Sequence, residues 1–160
     1  MFERAVEVCR RLKQPDMLAR ALFARGAIAM SRSELEPVEA ITGDLLRLAD
    51  ATGRPGIRIA GEVRRGILRF HQGRLLAARD SLTGALELCR QDDKAIPDLA
   101  ITSLPDVAAA AYLANTLAYL GYPEGAITHA EFAVERDTRQ GIAGLCDGAL
   151  HLGTSLPDDR

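Results

Sequence analysis

The sequence has no tryptophan, only 4% aromatic residues and three cysteines in 160 residues, at Cys9, Cys89 and Cys146. Their odd number and wide spacing, without a CxxC pair, argue against a disulfide framework and against a zinc site. We therefore expect three small buried side chains and a reducing, cytoplasmic compartment. Long apolar runs and a secretory leader pattern are also missing, so the sequence predicts no membrane span.

No charge of one sign dominates, because 20 basic residues face 22 acidic ones and the formal net charge is −2. A chain so balanced has no overall positive field for nucleic acid, so we expect no direct contact with it. The motifs GxxxxGK[ST], GxGxxG, GxSxG and HExxH are absent, and the three histidines, His71, His129 and His151, are scattered. We therefore expect no catalytic residues, no metal and no cofactor, and hence a protein that is not an enzyme.

Small and aliphatic residues take the place of the missing aromatics, with 26 Ala and 22 Leu. Both are among the best helix formers. Apolar residues recur at steps of three and four between Pro and Gly breakers, and no useful segment alternates with period two. The pattern predicts an all-α fold with eight helices, at 2–13, 16–31, 34–52, 55–72, 74–92, 105–120, 122–139 and 141–152. Ser33 and Glu36 also match a capping box at the start of the third helix.

The helices repeat in pairs. A small residue stands seven positions before a turn residue three times, in the pairs Gly26 and Ser33, Gly66 and Gly73, and Ala114 and Gly121. Further small residues follow two of these turns at equal distances, at Ala78, Ala85, Ala126 and Ala133. Small residues allow two helices to cross closely. A period of about 40–48 residues predicts a solenoid with hairpins 16–52, 55–92 and 105–139 and flanking helices 2–13 and 141–152.

This spacing resembles the tetratricopeptide repeat. The segments Gly73–Arg79, Leu45–Ala49 and above all Leu120–Ala126 are similar to the long-repeat region of large bacterial signalling ATPases, which carry an adenylate cyclase or a LuxR-type domain elsewhere in the chain. The resemblance implies a right-handed superhelical array of antiparallel helix pairs over 1–160, as one domain of a larger protein. It also implies a non-catalytic interaction or regulatory module. The open ends of such an array can pair with a second copy.

In an array of this type the first helix of each pair lines the concave side. Taking Gly26, Gly66 and Ala114 as equivalent positions places nine residues on that face, namely Arg20, Phe23, Met30, Val63, Ile67, Phe70, His71, Asn115 and Tyr119. Such a mixture of aromatic, Met and amide groups suits a peptide, a helix or a neighbouring domain. For Phe23, Ile67 and Phe70, packing between repeats is at least as good an interpretation.

Arginines crowd the segment 54–74, where Glu62 is the only acid. Arg58, Arg65 and Arg69 step by seven and four, so they share one face of the predicted helix 55–72. Guanidinium groups bind oxyanions well. An alternative function is therefore a sensor or enzyme for a phosphorylated small molecule or nucleotide at this helix. The competing interpretation is a solvated face paired with acids such as Asp44, Asp80 or Glu87.

Overall fold

A computed structural model describes residues 2–91 and 104–140 of the chain. These residues form seven α-helices and no strand: α1 Phe2–Arg11, α2 Pro15–Ser31, α3 Leu35–Thr52, α4 Pro55–His71, α5 Leu75–Gln91, α6 Pro105–Tyr119 and α7 Pro123–Gln140. The all-α prediction is confirmed, and each end lies within two residues of its predicted position. The predicted helix 141–152 lies outside the described residues. Within residues 2–91 and 104–140, every helix is too short or too polar to span a lipid bilayer.

Prolines mark the helix starts. Pro15, Pro55, Pro105 and Pro123 are the first residues of α2, α4, α6 and α7. The missing N–H of proline costs nothing at the first helical position, because that group has no partner inside a helix. These four prolines therefore begin helices rather than lie in loops.

The helices pack in chain order, each against the next. In addition α4 contacts both α2 and α6. These three helices, the first members of the predicted hairpins, therefore lie side by side, and we call the surface they share the α2–α4–α6 face. The helix α4 supplies residues to three hydrophobic clusters, one of which joins Leu68 to Ala29 of α2 and Val38 of α3. Val63 and Ile67 belong to the cluster shared with α5 and α6, while Ile57 and Ala60 join the cluster built from α1, α2 and α3.

Glycines stand where helices cross most closely. A β-carbon built on Gly66 of α4 would lie 2.5 Å from Cγ of Leu82 in α5. A β-carbon on Gly26 of α2 would lie 3.4 Å from Cγ2 of Ile41 in α3. These are the crossings that the repeat pattern predicts for the first two hairpins. Gly61 forms a third crossing, against Leu46, that the pattern does not predict.

The predicted capping box at Ser33 is wrong. Glu34, not Ser33, precedes the first turn of α3, and no side chain caps it. Ser33 instead ends α2 in the left-handed region, with a φ of 59°. Its N–H donates to the carbonyl of Met30 at 2.9 Å, and the N–H of Glu34 donates to that of Ala29 at 3.0 Å. This pair of bonds is a Schellman motif, which satisfies carbonyls at a helix end and leaves the Ser33 hydroxyl out of any cap.

The same turn recurs at the equivalent positions of the other hairpins. Gly73 and Gly121 have φ values of 73° and 83°. Their N–H groups donate three residues back, at 2.9 and 3.1 Å, and the next residue donates five residues back, at 2.9 Å in both turns. The hairpins at 33, 73 and 121 therefore share one turn geometry, and only the first builds it without glycine.

Candidate functional site

Four rings meet on the α2–α4–α6 face, and we call them the aromatic cluster: Phe70 and His71 of α4, Tyr112 and Tyr119 of α6. The centroid of the Phe70 ring lies 5.5 Å from those of His71 and Tyr112, both edge-on, and 5.9 Å from that of Tyr119. The rings of His71 and Tyr112 are 5.7 Å apart. Edge-to-face contacts at these distances are favourable, because the positive edge of one ring meets the negative face of another.

The cluster is buried at its base and open at its rim. Phe70 and Tyr112 are half-buried, while His71 is exposed and Tyr119 keeps 60% of its surface in solvent. His71 Nε2 and Tyr112 Oη lie 3.3 Å apart and share a hydrogen bond. Partial burial lowers the pKa of His71 and raises the pKa of Tyr112, an effect that the neighbouring Arg64 opposes in Tyr112. Both groups are therefore neutral at pH 7, and the rim offers rings and hydrogen bonds rather than charge.

A buried arginine of α4 lies against α2. Arg64 of α4 is only 3% exposed. Its guanidinium carbon stands 4.3 Å from the centre of the Phe23 ring, and its Nη2 donates to the Phe23 carbonyl at 2.8 Å. Its Nε lies against Gly26, 3.1 Å from where a β-carbon would stand, and has no hydrogen-bond acceptor. Burial lowers the pKa of Arg64 to about 10, and Tyr112, when it is ionised, acts in the opposite direction.

The residues predicted for a partner surface divide into three groups. Three are core residues, Phe23, Val63 and Ile67, which are 5%, 0% and 5% exposed and offer a partner almost no surface. Met30, Phe70 and Asn115 are half-buried, and Arg20, His71 and Tyr119 are exposed. The packing interpretation therefore describes the position of Phe23 and Ile67. The structure brings three of the nine together in one cluster, namely Phe70, His71 and Tyr119.

The three arginines predicted for an anion all have partners within the chain. Arg58 pairs with Asp50, and Arg65 pairs with Glu62. Arg69 donates to the Ser81 hydroxyl at 2.5 Å and to the Ala77 carbonyl at 3.3 Å. These contacts fix the three side chains along α3, α4 and α5 rather than gathering them around one point. The acids that do pair, Asp50 and Glu62, are not those that the sequence interpretation names.

A separate hollow of about 350 Å³ lies between α5, α6 and α7. Leu86, Cys89, Leu113 and Phe132 form its apolar lining, and Arg90, Asp106 and Arg136 are among its charged residues. His129 also lines it, and burial together with the nearby charge of Arg90 lowers the pKa of His129. Nothing in the repeat pattern points to this hollow.

Sequence reasoning misses Arg64 and Tyr112. Arg64, Ile67 and His71 step by three and four, which puts the arginine on the same stripe as two predicted groove residues. Tyr112 and Tyr119 are seven apart, again one stripe. The spacing places both residues on these stripes. Arginine and tyrosine side chains are often exposed, however, and only the fold shows that Arg64 is buried.

Within residues 2–91 and 104–140, no group of three His, Cys, Asp or Glu side chains could hold a metal ion. Cys9 and Cys89 are not joined in disulfides. Comparison of the chain with protein-family models, with curated proteins and with solved structures finds no significant match.

Proposed function

We propose that the chain is a non-catalytic interaction or regulatory module and that its partner binds across the α2–α4–α6 face. The observation that carries this proposal is the aromatic cluster. Its rings His71 and Tyr119 are exposed, while the half-buried rings of Phe70 and Tyr112 complete the cluster and pack against each other. Rigid aromatic side chains give large contact areas at low entropic cost and dominate many interfaces.

The finer architecture belongs to the same proposal. A right-handed superhelical array would turn the α2–α4–α6 face into a groove, and the contacts of α4 with both α2 and α6 support this arrangement. The shared turns at 33, 73 and 121 support the repeat. Small-angle X-ray scattering of the chain tests it, because an extended curved array and a closed bundle of equal mass differ in radius of gyration. Scattering that fits a closed bundle would contradict the groove.

A peptide or an amphipathic helix fits the face best. The rim of the cluster offers ring faces and hydrogen bonds, and His71 is neutral at pH 7, so an apolar or aromatic anchor of the partner can bind there without desolvating that histidine as a charged group. Segment Leu120–Ala126 supports a wider proposal, in which the chain serves as the tetratricopeptide-like part of a cytoplasmic signalling protein and the partner is a peptide or another domain of that protein. The coding context tests this point, through the presence or absence of a nucleotide-binding or cyclase domain in the same reading frame.

The decisive experiment compares two sets of exposed substitutions. The test variant is His71→Glu with Tyr119→Asp, which places two carboxylates at the rim without touching the core. The matched control is Tyr122→Asp, since Tyr122 is 55% exposed, close to the 60% of Tyr119, but takes part in no ring contact of the described residues.

Quantitative affinity capture from the native cell is run with the parent and both variants, and the dissociation constant of each captured protein is then measured after purification. A partner whose affinity falls tenfold or more in the test variant and stays unchanged in the control supports the proposal. Capture that is the same for the parent and the test variant refutes it.

A further inference from the structure

The hollow between α5, α6 and α7 has the size of a small-molecule site. Its volume of about 350 Å³ lies within the range of ligand pockets in proteins, roughly 300–1,000 Å³. It is half-enclosed, so a ligand can enter without the movement of a helix. None of its lining residues belongs to the aromatic cluster. The hollow is therefore a second surface, distinct from the α2–α4–α6 face.

Apolar side chains of all three helices line the hollow. Leu86 and Cys89 come from α5, Leu113 from α6 and Phe132 from α7. Cys89 and Leu113 are 4% and 2% exposed, whereas Phe132 keeps 42% of its surface in solvent. Covering apolar surface of this kind is favourable in proportion to the area removed from water. An apolar ligand would therefore bury surface that the described residues leave exposed.

The charged residues of the lining balance one another. Two arginines, Arg90 and Arg136, and two acids, Asp106 and Glu135, line the hollow, so their formal charges sum to zero. Arg136 Nε donates to the Asp106 carboxylate at 2.9 Å, and Arg90 pairs with Glu87. An ionised ligand would lose its hydration and gain no unbalanced charge in return. The lining therefore favours an uncharged ligand.

His129 supplies a polar group for that ligand. It is half-buried, and burial together with the charge of Arg90 lowers its pKa, so the ring is neutral at pH 7. Within residues 2–91 and 104–140, neither ring nitrogen of His129 has a hydrogen-bond partner. A neutral imidazole has one nitrogen that donates and one that accepts. His129 and Phe132 are neighbours on one side of α7, because residues three apart share a helix face.

We propose that this hollow binds an uncharged bicyclic aromatic molecule, whose rings pack against Phe132 and Leu86 and whose N–H or O–H group hydrogen-bonds to His129. A cavity of about 150 Å³ lined by apolar side chains holds a single benzene ring. The larger volume here, about 350 Å³, accommodates two fused rings. The site does not rest on the proposed function, since the two share no residue.

The probe is indole, which is uncharged, bicyclic and carries one N–H group. NMR titration of the full chain at pH 7 follows the ring protons of His129 and Phe132 and gives the dissociation constant. Indole carboxylate, which adds a negative charge to the same rings, is the control. Indole should bind at least tenfold more tightly than the carboxylate. Absence of indole binding, or equal or tighter binding of the carboxylate, overturns the proposal.

Two substitutions on α7 locate the site. Phe132 and Val134 are 42% and 44% exposed, but only Phe132 lines the hollow. Substitutions at exposed positions rarely unfold a protein, so both variants should fold. Phe132→Asp should weaken indole binding tenfold or more, and Val134→Asp should leave it unchanged. Equal effects of the two substitutions would place indole elsewhere and overturn the proposal.

A third variant tests the hydrogen bond. His129→Leu removes the ring nitrogens and should weaken indole binding roughly three- to tenfold, the effect of one lost hydrogen bond. Benzothiophene has the shape of indole without its N–H group, so its binding should not fall in the same variant. Equal losses for the two ligands would show that His129 contributes packing alone and would overturn its assignment.

Other occupants of the hollow give different results. A second copy of the chain would appear as a dimer in sedimentation that Phe132→Asp dissociates. A segment of this chain outside the described residues would exclude indole, and Phe132→Asp would then lower the melting temperature while Val134→Asp would not. Either result overturns the small-molecule site.

Discussion

Leu82 occupies the space that a β-carbon at position 66 would need. A β-carbon built on Gly66 falls 2.5 Å from Cγ and 2.6 Å from Cδ2 of Leu82, and both distances are far shorter than any van der Waals contact. Leu82 is completely buried, so it has no solvent into which to move. The approach of α4 to α5 therefore depends on the absence of one carbon atom.

Gly66→Ala should reduce the free energy of unfolding by roughly 1–3 kcal/mol, because the added methyl group overpacks a filled crossing. Gly66→Leu should cost at least as much. The matched control is Gly84→Ala in α5, where a β-carbon meets nothing within 4 Å. That change should stabilise the chain by about 0.5–1 kcal/mol, since alanine is the better helix former. Urea denaturation measures both. Equal stability of the two alanine variants would contradict the crossing geometry.

Ser33→Gly should stabilise the chain by about 0.5–1 kcal/mol. Serine carries a left-handed backbone there, at a cost of roughly 1–2 kcal/mol, and glycine removes that cost while adding some entropy to the unfolded chain. The converse change, Gly73→Ala, should destabilise by about 1 kcal/mol. The space around Gly73 is open, so only backbone strain is involved. Thermal melts of both variants check this, and shifts of the same sign would show that the two turns are not equivalent.

Asp106→Ala should cost roughly 1–3 kcal/mol, because it removes a buried carboxylate that accepts two hydrogen bonds, one of them charge-assisted. The carboxylate of Asp106 accepts from Arg136 Nε at 2.9 Å and from the N–H of Val107 at 3.0 Å, and its side chain is 5% exposed. Glu7→Ala removes an exposed pair with Arg11 and should change stability by less than about 0.5 kcal/mol. Chemical denaturation of the two variants measures the difference. Similar small losses would show that the Asp106 pair adds no more than a surface contact.

Stability should fall as the pH is lowered from 7.5 to 5.5. Burial lowers the pKa of His71 from the ordinary histidine value of 6.5, and burial together with the charge of Arg90 lowers the pKa of His129 from the same value. The unfolded chain therefore binds protons more readily than the folded one. The contribution of these two histidines to the free energy of unfolding is complete above about pH 6.5 and is lost as the pH falls through the lowered pKa values. His71→Gln with His129→Gln should flatten the slope. A slope unchanged in that variant would assign the pH dependence to other groups.

Helices, their ends and the first two hairpin crossings could be predicted from the sequence, because proline, glycine and apolar spacing act through local backbone geometry. The turn at Ser33 could not, since the same residues fit a capping box and a left-handed helix end, and only the hydrogen bonds distinguish them. Arg64 was equally out of reach. Its burial depends on the space that Gly26 leaves on α2 and on contact with the Phe23 ring. Both are contacts between helices, so the spacing of residues within α4 cannot predict them.

The contact pattern has a consequence for how the chain acquires its structure. The main contacts of each described helix are with helices one or two places along the chain. The contacting residues are therefore close together in the sequence, and proteins with such local contacts fold quickly. A hairpin can therefore form as soon as its second helix has left the ribosome, before the remainder of the polypeptide has been synthesised.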